Sequence, residues 1–359
     1  MTRRTILIAA VLFACFSLKA YTQTSEKDKD IDISTIIQVA QREYYVNNNY
    51  DKAMVILSKA AKYLGLKNDS KYQEIVDVNW FQIKFTLLEK GAISAQPFVE
   101  NLMKGIEAYH ANLSNGFSLY DNAVNLMLSD NISKHFIYYP NGIQVIDSML
   151  DSFTRVYKED FLGEQHFRMF QNLKSYINLL NGDIKSALNL LSEVMEKADE
   201  YEKIAYAMNY GHVLFFSKQG TEKTIEQYKG ALKLNEEFIA KSLLMDFQTL
   251  RQYNLDVSGL KNYENQVRTN YVKKFYKRPY ITEIKNNSEA EKVGLKVGDI
   301  IELYNNDLVY DIEMFGIERM SERFKPNLKP REIKILRNGQ RLTFTVNPGL
   351  LGVYLEYEK

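Results

Sequence analysis

The chain is short of cysteine, proline, net charge and long apolar runs, and each shortage excludes something. Cys15 is the only cysteine among 359 residues, so no disulfide can form within the chain and no cysteine-based metal site exists. Six prolines leave helices largely uninterrupted, and together with 25 tyrosines they suit a mostly helical body. Charge of one sign is missing: 46 basic residues face 45 acidic ones, for a net charge of +1. No excess therefore points to nucleic acid or to anionic lipid. The longest apolar run, 6–16, is too short to span a bilayer comfortably. What remains is ordinary globular composition, 45% hydrophobic and 25% charged, at a length that suits two or three domains.

The first residues read as a targeting segment. Arg3 and Arg4 precede the apolar run, Ser17 to Thr22 is more polar, and Ala20 offers a small residue for cleavage. A signal peptide over 1–22 is expected, which makes the protein exported, periplasmic or envelope-associated. Leu12-Phe13-Ala14-Cys15 also resembles a lipoprotein cleavage box, with Cys15 as the lipidated residue. The alternative is cleavage near 20–22, with Cys15 discarded. Residues 23–31 form a polar leader without hydrophobic period.

From about Ile33 to Val272 apolar residues recur at three and four, the helical period. Breaks fall at Gly65 to Asp69, Ser114-Asn115-Gly116, Pro140-Asn141-Gly142, Asn181-Gly182-Asp183 and Lys218-Gln219-Gly220. The spacing predicts paired antiparallel helices across 32–275. Ile37, Tyr44, Tyr50, Ala53, Leu57 and Ala60 stand at the offsets of a helical hairpin repeat. Thr224 to Asn235, with Gly211 at a small position in the helix before it, is similar to a repeat's second half. Gly182 to Ala187 supplies another turn followed by an alanine. These segments resemble tetratricopeptide repeats, in which small residues let two helices approach and larger ones fill the gap to the next pair. Residues 70–168 show no clean repeat, so degenerate repeats and a generic helical bundle both stay open. Trp80 and the tyrosines are expected in the core, and a partner is expected on a concave helical face.

The pattern changes after the basic, proline-ended junction Lys273 to Pro279. Tyr280 to Ile284 alternates as a strand. Ser288 can cap a short helix, Gly294 can end it, and Leu295 should enter a core. Gly298-Asp299 makes the turn before a strand from Ile300 to Tyr304. Asn305-Asn306-Asp307 is a turn, 311–324 a helix, and 331–337 and 340–346 a hairpin joined by Asn338-Gly339. The run Ser288 to Ile301, followed by Ile333 to Gln340, resembles bacterial PDZ domains. The resemblance covers about 80 residues of the chain. The expected fold is an all-α, tetratricopeptide-like array over 32–275, followed by a mixed α+β PDZ domain over 276–359. That domain would be a partly open β-barrel with two helices.

The family's glycine-bearing peptide loop does not stand before Tyr280. Its counterpart is Gly349-Leu350-Leu351-Gly352-Val353 at the end, which resembles a circularly permuted order. Glycine reaches positive φ and leaves backbone N–H groups uncovered, so such a loop can gather amides on a terminal carboxylate. The amides of Leu350, Leu351 and Gly352 are the candidates. A peptide would then add as a strand beside Val353 to Tyr357. Val353, Leu355 and Tyr357 share one face of that strand. Ile317 and Met320, three apart on the helix, are the expected apolar wall.

No catalytic motif is found. The histidines His110, His135, His166 and His212 are isolated along the chain, and zinc-protease spacing, a Gly-x-Ser-x-Gly elbow, a phosphate loop and a dinucleotide fingerprint are absent. Asp256-Val257-Ser258-Gly259 reads as a turn between helices. No catalytic, metal or cofactor residue is assigned. The reading is a non-catalytic adaptor or scaffold that binds protein C-termini or extended peptides, serving an envelope protease or an envelope complex. Two alternatives remain: a hydrolase with an unrecognised site in the helical part, and a structural protein whose groove is closed.

Overall fold

A computed structural model describes residues 32–65, 72–111, 131–156 and 163–358. The expected signal peptide over 1–22, Cys15 and the leader over 23–31 lie outside the described residues. So do the turns expected at 66–69 and 114–116. The protein is mostly helical and ends in a six-stranded antiparallel sheet. No described helix is long and apolar enough to cross a membrane. The chain divides into two compact units, one of residues up to Lys90 with 94–102, the other of 91–93 with 103–359.

The first unit is built on α1 (Ile33–Tyr45), α2 (Tyr50–Gly65) and α3 (Tyr72–Lys90), with part of α4 (Ala92–Ala111). The Asp32 side chain accepts from the Ser34 amide and starts α1. Ile33, Ile37 and Ala40 on α1 meet Ala53, Leu57, Ala60 and Leu64 on α2 in one buried cluster with Val78 and Phe85. The four- and three-residue steps keep each set on one face, and the alanines let the helices close. Tyr44 stacks on Phe85 at 4.3 Å between centroids.

In the second unit, a helical stretch at 131–136 is followed by α5 (Gly142–Val156) and α6 (Gly163–Leu180). Then come α7 (Ile184–Lys197), α8 (Glu200–Phe216), α9 (Thr221–Leu232), α10 (Glu236–Gln252) and α11 (Lys261–Lys274). Asp183, Asp199 and Asn235 cap α7, α8 and α10. The Asp256 segment is the turn expected of it: its carboxylate accepts from the Ser258 amide and opens a short 3-10 helix, Ser258–Leu260. Gly211 on α8 lies against α9, where an added Cβ would stand 2.5 Å from Tyr228 Cε1. Beside it, His212 joins three further helices: Nδ1 meets the Tyr228 hydroxyl at 2.8 Å and Nε2 meets Asp246 at 3.1 Å. Tyr176 donates to the same carboxylate.

The sheet region follows: β1 (Pro279–Ile284), α12 (Glu289–Val293), β2 (Ile300–Tyr304), β3 (Asp307–Leu308) and α13 (Ile312–Ser321). A 3-10 turn, Glu322–Phe324, leads into β4 (Arg331–Arg337), β5 (Gln340–Val346) and β6 (Val353–Tyr357). Strand order is β5-β4-β2-β1-β6, with β3 paired to β2. The turn chemistry is as expected. Ser288 caps α12, Gly294 ends it with φ 83°, and Asn338-Gly339 turns the β4–β5 hairpin at φ 49° and 79°. Ile281, Ala290, Leu295, Ile301, Ile333, Ile335 and Val346 form the core of the sheet region.

The sheet region packs against α10. Lys241 Nζ donates to Asp311 at 3.1 Å, Gln248 Nε2 to the Leu308 carbonyl at 3.2 Å, and Gln252 Nε2 to Glu318 at 2.8 Å. These donors stand at i, i+7 and i+11, one stripe of the helix. Arg251 adds a bond to Asp307 while held two-pronged by Glu264.

An exposed helical Gly→Ala change stabilises by about 0.5–1 kcal/mol. At Gly211 the sign reverses, because the Tyr228 ring is closed in and cannot step aside. Gly211→Ala is expected to destabilise by about 1–3 kcal/mol, read as an earlier urea transition by circular dichroism.

Candidate functional site

The loop between β5 and β6 is fastened through its ends and its carbonyls. Asn347 donates its amide and its side-chain Nδ2 to Glu289 Oε1, at 2.8 and 2.9 Å. Its carbonyl accepts from Arg319 Nη2 at 2.8 Å. The Leu351 carbonyl accepts from the Ala290 amide and the Gly352 carbonyl from the Lys285 amide, both at 2.9 Å. The Leu351 side chain is sunk in the core, whereas Leu350 is 56% exposed.

The amides behave differently. Gly349 N donates to Glu322 Oε2 at 3.3 Å. The next three, of Leu350, Leu351 and Gly352, have no acceptor among the described residues. The loop therefore offers consecutive N–H donors, with the Leu351 and Gly352 carbonyls already engaged. Glycine is required at both ends: φ is +106° at Gly349 and +78° at Gly352, and an added Cβ at Gly352 would run into Ser288 Cβ.

Beneath the loop lies a buried polar node. Arg319 and Glu322 are each 2% exposed. Arg319 Nη1 donates to Glu322 Oε2 at 2.8 Å and also bonds the Tyr304 hydroxyl. Tyr304 donates to Glu322 Oε1 at 2.6 Å, and Arg331 Nε stands 3.1 Å from the same oxygen. Two guanidinium groups thus share one carboxylate, leaving a net positive charge under the free amides. Burial, with the Glu322 carboxylate beside it, holds the Tyr304 hydroxyl well above its usual pKa.

The strand beside the loop has an open edge. β6 pairs with β1 alone, from Pro279 opposite Tyr357 to Ile284 opposite Val353. Val353 and Leu355 are partly buried against the sheet core, in alternation with the exposed Tyr354 and Glu356. The Tyr357 hydroxyl accepts from the Ile312 amide at 3.0 Å, which ties the end of β6 to the start of α13.

The helix wall differs from the expected one. Ile317 and Met320 are interior, at 4% and 9% exposure. The stripe nearest β6 and the loop is instead Ile312, Gly316, Arg319 and Arg323. Ile312 touches Tyr357, Arg319 bonds Asn347, and Arg323 Cγ is the atom nearest an added Cβ at Gly349. Ile312, Gly316 and Arg319 run i, i+4 and i+7, one face of α13, with Arg323 in the 3-10 turn beyond it, and Ile317 sits about 100° away from Gly316. An apolar pair three apart reports only that some face is buried. Of the sequence-expected residues, the structure brings together Gly349, Leu350, Leu351, Gly352, Val353 and Leu355. The missed contributors are Tyr304, Arg319, Glu322 and Arg331. Their one sequence signal is a charged i, i+3 pair, Arg319 and Glu322, set among Phe315, Ile317 and Met320.

Two of the four histidines, His135 and His212, have described side chains. His135 bonds the Asn131 carbonyl at 2.6 Å, and the side chains of His110 and His166 lie outside the described residues. His212 and Tyr228 are fully buried, so their chain to Asp246 is a link between helices. Among the described residues no three His, Cys, Asp or Glu side chains are grouped to hold a metal. No family model matches the chain, and no curated protein matches it in sequence.

Breaking the node leaves buried guanidinium groups without their counter-charge. Glu322→Gln is expected to destabilise by about 3–5 kcal/mol. Gly316→Ala, on the exposed face where an added Cβ meets nothing, is expected to stabilise by up to about 1 kcal/mol. Chemical denaturation of both variants checks the pair.

Proposed function

We propose that the protein is an exported, non-catalytic adaptor that binds protein C-termini or extended peptides along β6, through a PDZ-like groove. The observation that carries this reading is the run of three amides, Leu350, Leu351 and Gly352, without acceptors beside an unpaired strand edge. A terminal carboxylate satisfies such donors, and the net charge of the Arg319–Glu322–Arg331 node favours an anion there. The peptide's backbone then continues the sheet next to Val353 to Tyr357. Leu350 and the partly buried Val353 and Leu355 offer apolar contact to its last side chains.

A second partner on the helical part completes the adaptor. Two weak sites on one chain give avidity when both reach the same assembly. Delivery of substrates to a separate envelope protease and scaffolding of an envelope complex both fit that task.

The test uses the whole chain, because the sheet region shares one compact unit with the helices from residue 103 onward. Fluorescently labelled C-terminal peptides, with free and with amidated ends, are titrated by anisotropy. Affinity near 1 μM, about −8 kcal/mol, is expected for free carboxylates. Amidation and Gly316→Trp, a bulky side chain on the α13 face that carries Ile312 and Arg319, should each weaken it at least about tenfold, some 1.4 kcal/mol. Equal binding of both peptide forms, or none across the array, overturns the carboxylate reading.

A further inference from the structure

On the side of α13 away from β6, facing α10, lies a cavity of about 440 Å³. Most of the charges around it are already matched. Arg251 is held by Glu264 and Asp307, and Asp311 by Lys241. Three groups are not. Glu318 accepts one bond, from Gln252, at 2.8 Å. Among the described residues the Arg331 guanidinium ion-pairs only with Glu322, which it shares with Arg319. The Lys325 amide donates to the Glu322 carbonyl at 3.2 Å, but its ammonium has no hydrogen bond or ion pair within the described residues, although the residue is partly buried.

The charges along this wall do not balance. Arg319 and Arg331 share one carboxylate, and Lys325 adds a further cation against Glu318 alone. Burial lowers the Lys325 pKa even though Glu318 and Glu322 pull it the other way, so those acids do not replace the water the ammonium has lost. A cation that lines a cavity without an acceptor can be satisfied by a bound anion, and a guanidinium beside it adds a fork of donors. We propose that this cavity is a second ligand site, taking a small oxyanion group, a carboxylate or a sulfate- or phosphate-like group, on Lys325 and Arg331.

Glu318 sets the pH range of that site. Burial pushes its pKa up to about 7, with repulsion from Glu322 adding to this and Lys325 and Arg331 opposing it. Facing it are Gln252 and Arg251 from α10, Asp307 from β3, Asp311 at the start of α13, and Arg331 from β4. Tyr138, Tyr304 and Tyr310 complete the surround. Protonated, Glu318 can donate to an anion; ionised, it repels one. Affinity should therefore fall as pH rises through about 7. Stability follows the same sign: the folded state holds a proton that the unfolded chain, near the ordinary 4.5, has released, so stability falls with rising pH between those values.

Sulfate and acetate are the probes, since neither changes charge between about pH 6 and about pH 8. Each is titrated into the whole chain by calorimetry at constant ionic strength. Saturable binding of at least one probe is expected, several-fold tighter at the lower pH. Glu318→Gln should remove that pH dependence. Lys325→Met should weaken binding about tenfold or more, while Lys325→Arg stays within about threefold. Circular dichroism confirms that the variants are folded. Absence of saturable binding by the unaltered chain at millimolar probe overturns the proposal. So does a folded Lys325→Met variant that binds as well as the parent. The peptide titrations above probe the opposite side of α13, so failure here leaves that reading standing.

Discussion

The Glu322 carboxylate is the point on which the site depends. It lies just past the end of α13 and answers Arg319 of that helix, Tyr304 of β2, Arg331 of β4 and the Gly349 amide at the start of the glycine loop. Buried charges are costly unless every partner is in place, and removing one partner leaves the rest unpaid. The helix, two strands and the loop are thus held in mutual register. A core of aliphatic residues would bring the same elements together without fixing where the loop amides point.

The loop shows a division of labour between the two sides of its backbone. Its Leu351 and Gly352 carbonyls bond α12 and the residue after β1, while three successive amides have no acceptor among the described residues. Gly349 and Gly352 make this possible by adopting positive φ at either end. The result, among the described residues, is a loop with unbonded donors next to β6, an edge strand of the sheet. Unpaired edges invite another strand, and natural sheets tend to blunt them. Such an edge, placed beside these amides and a positive node, is the ground of the proposed peptide site.

The helical part contributes more than a spacer. One stripe of α10 bonds Asp311, the Leu308 carbonyl and Glu318, so the far side of α13 is braced while its near side faces β6. The same helix therefore stands between the groove and the charged cavity. Whatever shifts α13 acts on both sides at once, because a packed helix moves as a body rather than residue by residue.

Local signals were legible in the sequence wherever one residue dictates one backbone state. Ser288, Gly294, Asn338 and Gly339 mark caps and turns that the structure contains, since few other residues satisfy those geometries. Period-two alternation located the strands, and three-four spacing located the helix faces of α1 and α2. Gly349 and Gly352 were likewise readable as turn positions, and both take positive φ; the role of the loop between them came from the resemblance to PDZ domains. The helix wall was not. Periodicity shows that Ile317 and Met320 are buried, but which neighbour buries them depends on α13's rotation against β6 and α10. The Arg319–Glu322–Arg331 node and the cavity beside Lys325 were equally hidden. Their members come from separate elements, and a charge in sequence carries no sign of whether water or a counter-charge will meet it. Only packing decides that, because desolvation is a property of the assembled fold and not of any single residue.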